Sequence, residues 1–506
     1  MLLRILGCAA LAASAVAQLS GNVITLDYGR FTGELNDSTG VINFKGIRYA
    51  DAPLGDLRWR APVSPPSQNL GDVNATMFSP ACLQTKLTNR TSSALNGYSE
   101  DCLFLNVFVP VGTAPNASLP VLLYMHGGGL QVGDPDDAIA DHLFQSTASP
   151  FIFVTIQFRL GSYGYLGGKA IGEDGDYNVG LLDQKATFRW VRQYISQFGG
   201  DPTRLTIWGQ SGGAVAVMLH LLAQDGDNEG LFIGAIADSP PIGYQPDCKS
   251  NFTETIVSQI AKEVECDTAE DILNCLRAVD ASILTNATSA ALALQAPMVY
   301  PFEPCMDGSF LTSRIVPAMK ANALAPVPLL FGSNTAEGTE WKAKNVTEDT
   351  VYAFLVGQYP GLTRELFDRA LELYPLEDYD NDTLRQGQRM LGELRYICSA
   401  VLPGKSIPGT YQYHYDNPDN GGSGHGAELA AFFDPPDNGT FWATMRQYWT
   451  SFAAIHIPQA DNSSVWRNEP NTRMFLHPEQ IAMEDVDSGL RERCDFWHGI
   501  SEELQT

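Results

Sequence analysis

The chain has 506 residues, of which 44% are hydrophobic and 18% are charged. This composition is typical of a globular protein, and the length fits about three domains or one large α/β unit. With 58 acidic and 32 basic residues the formal net charge is −26, which argues against binding to nucleic acid or to an anionic membrane surface.

The first 17 residues have the pattern of a secretory signal peptide. Arg4 supplies positive charge, residues 5–13 are apolar, and Ala15-Val16-Ala17 provides the small residues of a cleavage site. No later run is long and apolar enough to span a membrane, and the polar residues 501–506 carry no lipid-anchor signal. We therefore expect a secreted, extracellular protein without a membrane anchor.

Glycosylation sequons and cysteines support the same compartment. Nine cysteines are present, and the loss of Cys8 with the signal peptide would leave eight, an even set that indicates disulfide bonds. Their spacing does not match a zinc site. The density of sequons predicts a secreted glycoprotein. The sequons begin at Asn36, Asn74, Asn89, Asn116, Asn251, Asn286, Asn345, Asn381, Asn438 and Asn462.

Strand-like apolar runs recur along the chain, with helix-like segments between several of them. This alternation predicts a mostly parallel or mixed sheet with helices on both faces. The continuous apolar run Phe151-Ile152-Phe153-Val154 indicates a strand that is buried on both faces. The predicted strands are residues 121–125, 151–158, 205–208, 231–237, 327–331 and 410–415, and the predicted helices include residues 177–198 and 214–223.

A glycine run, His126-Gly127-Gly128-Gly129, follows the first of these strands. Glycines leave backbone N–H groups free to point at a developing negative charge, so the run is a candidate oxyanion-binding loop.

The motif Gly209-Gln210-Ser211-Gly212-Gly213 lies between the strand-like residues 205–208 and the helix-like residues 214–223. A strand, a tight turn and a helix are the context of a nucleophile elbow, in which small flanking residues let the two arms approach. The helix directs its positive end and free N–H groups at the serine. Ser211 is therefore the predicted nucleophile for attack on an ester carbonyl.

A serine nucleophile needs a base to take its proton and an acid to orient that base, and α/β-hydrolases present these in the order serine, acid, histidine. Glu337 follows the predicted strand 327–331 and is the predicted acid, with Glu340 as a nearby competitor.

The predicted base is His425, in a glycine-rich stretch that follows the predicted strand 410–415. Glycines allow a tight loop to carry the ring toward the serine. His220 and His414 are expected to be packed within a helix and a strand, whereas His456 and His498 remain alternatives by position.

Three further blocks complete a pattern that resembles the type-B carboxylesterase/lipase family, which includes cholinesterases, mammalian carboxylesterases and fungal lipases. The resemblance extends over nearly all of residues 18–506. The blocks are Phe44-Lys45-Gly46-Ile47-Arg48-Tyr49-Ala50 with Pro53, Leu57, Arg58 and Trp59 behind it, Ser99-Glu100-Asp101-Cys102-Leu103-Phe104-Leu105-Asn106-Val107, and residues 178–214.

The resemblance implies a single α/β-hydrolase domain over residues 18–506, with a large, mostly parallel (mixed) sheet flanked by helices. It implies a triad of Ser211, Glu337 and His425. It also implies an oxyanion hole, formed by the N–H groups of Gly128, Gly129 and Gly212.

The same resemblance implies two buried ion pairs, Arg48 with Glu100 and Arg159 with Asp183. It implies the disulfide bonds Cys82–Cys102 and Cys266–Cys275, which would leave Cys248–Cys305 and Cys398–Cys494 as the remaining pairs.

The chain departs from the family pattern in two places. Gln210 and Gly213 stand where the family usually has glutamate and alanine, which removes a charge beside the nucleophile but leaves the mechanism intact. The segment between Cys82 and Cys102 contains no tryptophan, and Tyr98 is its only aromatic residue, which argues against a cholinesterase.

The composition of the same segment distinguishes an esterase from an interfacial lipase. A lipase needs a flap with a broad apolar face, but most of residues 83–101 are polar and Asn89 lies in a sequon. The apolar residues of this segment are Leu83, Leu87, Ala94, Leu95 and Tyr98.

The sequence therefore predicts a secreted serine esterase that acts on small, soluble or aryl esters through an acyl-enzyme. Its expected partner is a small-molecule ester, with no nucleic acid, and neither a metal nor an organic cofactor is required. A lipase for longer-chain esters and a catalytically silent adhesion protein of the same fold are the alternatives.

Overall fold

A computed structural model describes residues 22–506 except 86–96, 137, 139, 148, 296–297, 419–421 and 436–438. The predicted signal peptide, most of the segment between Cys82 and Cys102, and the sequons at Asn89 and Asn438 lie outside the described residues.

A mixed sheet of eleven strands forms the centre of the described structure, and two small sheets accompany it. This confirms the predicted fold class. The eleven strands lie in the order β16-β15-β14-β13-β12-β11-β9-β10-β8-β4-β3, and the strands of all three sheets are β1 (Val23–Leu26), β2 (Gly29–Thr32), β3 (Glu34–Asn36), β4 (Val41–Arg48), β5 (Asp72–Asn74), β6 (Ala81–Cys82), β7 (Tyr98–Ser99), β8 (Phe104–Pro110), β9 (Leu119–Met125), β10 (Ile152–Ile156), β11 (Gly200–Gln210), β12 (Gly234–Asp238), β13 (Leu329–Asn334), β14 (Tyr411–Tyr415), β15 (Thr472–His477) and β16 (Gln480–Asp485).

Seven adjacent strands of the sheet are parallel to one another, in the order β10-β9-β11-β12-β13-β14-β15. The outer strands β16, β8, β4 and β3 pair antiparallel. The carboxyl ends of β9, β11, β12, β13 and β14 therefore lie along one edge of the sheet, where open α/β sheets place their ligand sites. Each of the six predicted strands is present, although several bounds differ. The largest difference is β11, which begins at Gly200 because an irregular stretch joins Gly200 to the regular pairing at Leu205.

Residues of the central strands alternate between the two faces of the sheet, because successive side chains of a strand point in opposite directions. In β9, Val121, Leu123 and Met125 belong to one apolar core, and Leu122 and Tyr124 belong to a second core on the other face. Helices α4 and α5 contribute to the first core and helices α14 and α15 to the second. A third core packs helices α10–α13 against α16.

The described helices are α1 (Asp141–Gln145), α2 (Gly161–Tyr165), α3 (Lys169–Asp174), α4 (Val179–Tyr194), α5 (Gly212–Gly226), α6 (Asn251–Glu263), α7 (Ile272–Ala278), α8 (Ala281–Ala293), α9 (Ile315–Lys320), α10 (Glu348–Gln358), α11 (Arg364–Leu373), α12 (Thr383–Gly392), α13 (Cys398–Ser406), α14 (Ala430–Phe433), α15 (Phe441–Ile455), α16 (Ser488–Gly499) and α17 (Ser501–Leu504). Short 3-10 and π segments also occur, among them Ile195–Phe198 at the end of α4, Glu337–Glu340 after β13, and Glu393–Ile397 between α12 and α13. In the part of the chain that the structure describes, no helix has both the length and the apolar character needed to cross a bilayer.

Four disulfide bonds link the eight cysteines that follow residue 21. They are Cys82–Cys102, Cys248–Cys305, Cys266–Cys275 and Cys398–Cys494. Cys82–Cys102 and Cys266–Cys275 are the pairs that the family resemblance implied, and the other two are the pairs that it left over.

One predicted ion pair is confirmed and the other is wrong. Arg159 and Asp183 are both buried, and the guanidinium donates two hydrogen bonds to the carboxylate at 2.8 and 2.7 Å. Arg48, however, pairs with Asp101 at 2.6 and 2.7 Å and not with Glu100.

Glu100 pairs instead with Arg58, through Nε at 2.7 Å and a terminal nitrogen at 2.6 Å. The other terminal nitrogen of Arg58 donates to backbone carbonyls of residues 276, 277 and 279, so this arginine is buried with nearly all of its donors satisfied. Since adjacent side chains point in different directions, Glu100 reaches the buried Arg58 and Asp101 reaches the more exposed Arg48.

Replacing Asp183 with asparagine is expected to lower the free energy of unfolding by about 3–5 kcal/mol, because it leaves the charge of Arg159 buried without a counterion. The matched control is Asp72→Asn, which breaks the exposed pair between Arg30 and Asp72 and should cost about 0–1 kcal/mol. Denaturant midpoints of the two variants provide the test. Equal, small shifts would show that the buried pair does not contribute as its geometry indicates.

Candidate active site

Ser211 lies in a tight turn between β11 and α5, with a strained backbone conformation at φ 52° and ψ −117°. Its N–H donates a 2.9 Å hydrogen bond to the backbone carbonyl of Asp238, at the end of β12. The glycines of this turn lie too close to other backbone atoms to carry a side chain. A Cβ added at Gly209 would lie 2.2 Å from the carbonyl carbon of Gly213, and one added at Gly213 would lie 2.0 Å from the carbonyl oxygen of Met125. These glycines therefore allow the strand and helix to cross at the serine, as a nucleophile elbow requires.

His425 lies on a loop after β14, and its ring bridges two other groups. Nε2 lies 2.7 Å from Oγ of Ser211, and Nδ1 lies 2.6 Å from Oε2 of Glu337. The arrangement fits a neutral ring that donates from Nδ1 to the carboxylate and accepts at Nε2 from the hydroxyl. The Tyr396 ring packs against the imidazole with centroids 4.3 Å apart and restricts its position.

Glu337 begins the short 3-10 segment that follows β13, and its side chain is buried. Oε1 accepts hydrogen bonds from Oγ of Ser239 at 2.6 Å and from the N–H of Asn334 at 2.7 Å, which leaves Oε2 for His425. Glu340, the competing acid, ends the same segment and is exposed. The fold therefore brings Glu337, and not Glu340, into hydrogen-bond contact with the histidine.

The alternative histidines have other surroundings. His220 lies 2.9 Å from Gln184, and His414 lies between Glu484 and Thr335. His498 is buried in α16, and burial, reinforced by Lys320, lowers its pKa to about 4. His456 ends α15 and packs against Phe452.

Burial alone would lower the pKa of His425, but the carboxylates of Glu337, Glu340 and Glu428 outweigh this effect and raise the pKa above its usual value. Glu428 is itself completely buried, and burial together with the charge of Glu337 raises its pKa to about 7. Its Oε2 accepts a hydrogen bond from the side chain of Asn334. Two buried carboxyl groups thus stabilise a positive charge on the ring, which a base gains when it takes a proton.

The predicted oxyanion loop follows β9 directly and touches the nucleophile elbow. A Cβ added at Gly212 would lie 2.8 Å from the nitrogen of Gly129, and one added at Gly127 would lie 3.3 Å from Cβ of Ser211. Gly128 and Gly129 have φ values of 108° and 62°, which favour glycine. The loop therefore lies beside Ser211 and the start of α5, with the nitrogen of Gly129 close to Gly212.

Gln210, which stands where the family usually has glutamate, places a neutral side chain between the oxyanion loop and the histidine loop. Gln210 is buried, and its Oε1 lies 2.6 Å from where a Cβ of Gly127 would be. Its Nε2 has no hydrogen-bond partner among the described residues and lies 3.4 Å from where a Cβ of Gly426 would be.

Sequence reasoning missed the side chains that position the acid and the base. Ser239 and Asn334 lie at or just beyond the ends of β12 and β13, whereas Glu428 and Tyr396 lie on the histidine loop and on the π segment before α13. The first two could have been found, since the strands 231–237 and 327–331 were predicted and polar residues follow both at the edge that carries the site.

The sequence model described as "Carboxylesterase family" matches residues 20–497. Lipase 2 of Geotrichum candidum is 34% identical over 378 residues, which cover 66% of this chain and 67% of that protein. Secreted lipase 1 of Botryotinia fuckeliana (strain B05.10) is 28% identical over 487 residues, covering 85% of this chain and 84% of the relative.

Among solved structures, Aspergillus niger EstA superposes with a TM-score of 0.87 at 28% identity, covering 96% of this chain and 99% of that chain. Together with the match over residues 20–497, this similarity shows that the chain belongs to the carboxylesterase family and is a carboxylic ester hydrolase.

Proposed function

We propose that this protein is a secreted serine esterase in which Ser211 is the nucleophile, His425 the general base and Glu337 the acid that orients the base. The observation that carries the proposal is the continuous hydrogen-bonded chain from Ser211 Oγ through His425 to Glu337, with distances of 2.7 and 2.6 Å. The acidic and basic partners lie on loops at the same sheet edge as the elbow, the arrangement that nucleophilic catalysis needs.

In the proposed reaction, His425 takes the proton of Ser211 as Oγ attacks the ester carbonyl. The N–H groups of Gly128, Gly129 and Gly212 stabilise the oxyanion of the tetrahedral intermediate. The C–O bond to the alcohol then breaks, and His425 donates its proton to the departing oxygen. A water molecule, activated by the same histidine, attacks the acyl-enzyme, releases the carboxylic acid and regenerates Ser211.

Secretion is supported by the four disulfide bonds, which persist in oxidising compartments. The signal-peptide pattern in residues 1–17 and the sequons agree with it, as does the name of the Botryotinia relative. We further propose that residues 18–506 form one domain, because a single sheet of eleven strands includes segments from residue 34 to residue 485.

The preference for small, soluble or aryl esters rests on the segment between Cys82 and Cys102, whose described ends are held in place. Gln84 donates a 2.9 Å hydrogen bond to the carbonyl of Gly133, and the N–H of Thr85 donates to the carbonyl of Gln131 at 3.0 Å. The first residues of the segment are therefore attached to the residues that directly follow the oxyanion loop, which argues against a flap that opens freely at this end.

The second candidate function is a lipase that acts at an oil–water interface. The names of the Geotrichum and Botryotinia relatives favour it. Against it stand the polar composition of residues 83–101 and the sequon at Asn89, since a glycan there would oppose burial in an oil surface.

Rate against substrate concentration separates the two functions. We expect hyperbolic kinetics on p-nitrophenyl and aryl esters, a lower rate on long-chain triglyceride emulsions, and no jump in rate at the solubility limit. An Asn89→Gln variant is the control for an effect of the glycan. A sharp rise in rate when the emulsion forms, in the wild type or in Asn89→Gln, would contradict the esterase assignment and support the lipase.

A further inference from the structure

His126 directly precedes the glycines of the oxyanion loop and has no part in the proposed reaction. It is 4% exposed, and its ring stacks on the ring of Phe158, with centroids 4.6 Å apart and an interplanar angle of 16°. The glycine at position 133 leaves room for the ring, since a Cβ added at Gly133 would lie 2.7 Å from Nδ1 of His126. The imidazole is therefore held in one place against the loop.

The ring makes a hydrogen bond to the backbone of the loop. Nδ1 of His126 lies 2.8 Å from the carbonyl oxygen of Gly127. A carbonyl oxygen can only accept, so Nδ1 carries the ring proton and donates. Burial lowers the pKa of His126, against the opposing effects of this hydrogen bond and of Asp134, so the ring is neutral. Nε2 is buried and has no hydrogen-bond partner among the described residues, so the ring acts on the loop through Nδ1.

The carbonyl that His126 holds belongs to the peptide group whose nitrogen is that of Gly128. This peptide group is trans, and the C=O and N–H of a planar trans peptide point in opposite directions. Holding the Gly127 carbonyl on one side therefore sets the direction of the Gly128 N–H on the other side. A hydrogen bond to the carbonyl also polarises the peptide group, which makes its N–H a stronger donor.

The next peptide group of the loop is held in a different way. The Gly128 carbonyl accepts from the N–H groups of Gln131 and Val132, both at 3.1 Å, so a backbone turn sets the direction of the Gly129 N–H. In the part of the chain that the structure describes, the N–H groups of Gly128 and Gly129 donate to no other backbone group, so they are available to a ligand. A side chain thus orients the first of these two donors, and the backbone orients the second.

The peptide group that His126 holds begins beside the nucleophile. A Cβ added at Gly127 would lie 3.3 Å from Cβ of Ser211. Gly128 has a φ of 108°, in a region where glycine backbone rotates freely, so the chain itself does not fix the direction of this N–H. Donors to an oxyanion act over a narrow range of distance, so a small rotation of this peptide group would weaken the interaction.

We propose that His126 is a positioning residue for the oxyanion hole, whose Nδ1–H holds the Gly127 carbonyl so that the Gly128 N–H points at the oxyanion of the tetrahedral intermediate. This inference rests on the proposed function, which assigns Gly128 as a donor. Because His126 is buried and acts through the backbone, its contribution belongs to the transition state and not to the binding of the substrate.

The test begins with His126→Phe, which keeps a planar ring against Phe158 and removes the donor. Removing a whole oxyanion donor costs about 10²–10³-fold in kcat, so misdirecting one should cost about 10- to 100-fold. KM for a soluble p-nitrophenyl ester should change little, because acylation and deacylation use the same hole. The Ki of a trifluoromethyl ketone, which forms a hemiketal oxyanion with Ser211, should rise by about the same factor as kcat falls.

His126→Asn is the conservative variant that should restore activity. Its NH₂ group is attached to Cγ, as Nδ1 is, and it can donate to the same carbonyl. We expect kcat and the Ki of the trifluoromethyl ketone to return most of the way to their wild-type values, although asparagine loses the stacking on Phe158. Restoration by a smaller side chain would show that the donor matters, and not the packing of the ring.

His498→Phe is the matched control. His498 is also buried, its Nε2 also has no partner among the described residues, and it is hydrogen-bonded to the backbone of Cys398 in another core of the fold. The variant should lose thermal stability as His126→Phe does, while kcat and the Ki of the trifluoromethyl ketone stay at their wild-type values.

The outcomes separate this inference from the proposed function. A folded His126→Phe variant that keeps kcat and Ki overturns the inference, as does one in which KM rises and Ki does not. If His126→Phe does not fold, His126→Asn and His126→Leu decide, since their side chains have nearly the same shape and only asparagine has the donor. Equal Ki values for that pair overturn the inference. A wild-type enzyme that neither hydrolyses esters nor is labelled at Ser211 by an organophosphate would instead contradict the proposed function.

Discussion

Replacing Ser211 with alanine is expected to reduce kcat by about 10⁴-fold or more, because the residues of a triad act as a unit. The fold should be unaffected, since alanine occupies the strained turn at φ 52° as serine does and the hydroxyl's partner there is His425. Ester turnover and thermal unfolding of the variant check both parts of the expectation.

Covalent labelling by an organophosphate tests independently whether Ser211 is the nucleophile. It should modify Ser211 in the wild-type enzyme and nothing in Ser211→Ala, as read by peptide mass. Ser196→Ala, at an exposed position in the 3-10 segment after α4, is the control and should be labelled and active like the wild type. Modification of a different serine would contradict the assignment of the nucleophile.

Replacing Glu337 with glutamine should lower kcat by about 10³–10⁴-fold. Oε1 of Glu337 accepts from Ser239 and Asn334, so the glutamine oxygen will occupy that position and turn its NH₂ group toward Nδ1 of His425. Nδ1 must then accept, which puts the ring proton on Nε2, where it prevents the ring from taking the proton of Ser211.

The pH profile of the same variant adds a second, separate readout. The active form of His425 is neutral, and its pKa is raised, so kcat/KM of the wild type should fall as pH decreases through a value above about 6.5. Removing the charge of Glu337 lowers the pKa of His425, and the acid limb of the residual activity should move to lower pH.

Glu340→Gln is the control for this prediction, because Glu340 is exposed and does not contact the ring. It should leave kcat nearly unchanged and move the acid limb only slightly. A larger loss of kcat in Glu340→Gln than in Glu337→Gln would transfer the role of the acid to Glu340.

The parts of the site that were predicted are those fixed by local sequence. The elbow and the glycine run each follow an apolar strand, and the acid and the histidine follow later strands of the same parallel set. Because the carboxyl ends of parallel strands share one edge, residues far apart in the chain could be assigned to one site before their distances were known. Strand bounds were less accurate where pairing is irregular, as at Gly200.

The start of α4 is a second place where the predicted bounds differ from the structure. The predicted helix began at residue 177, but the helix begins at Val179 because Asn178 has a left-handed conformation with φ 54°. The Asn178 side chain donates to the carbonyl of Cys305 and to Asp307, and its carbonyl oxygen accepts from the N–H of Cys305. These contacts join segments more than 100 residues apart, which no local pattern reports.

By itself, the sequence determined the fold class, the order of the reacting groups and the residues at the nucleophile elbow, since these follow from periodicity and from the few residues that a tight turn tolerates. Only the tertiary structure shows that Glu337 rather than Glu340 contacts a histidine, that His425 is the histidine that contacts Ser211, and that Asp101 rather than Glu100 pairs with Arg48. Each of these depends on which side chain of a loop turns inward and what it meets there, and that is set by long-range packing rather than by neighbouring residues.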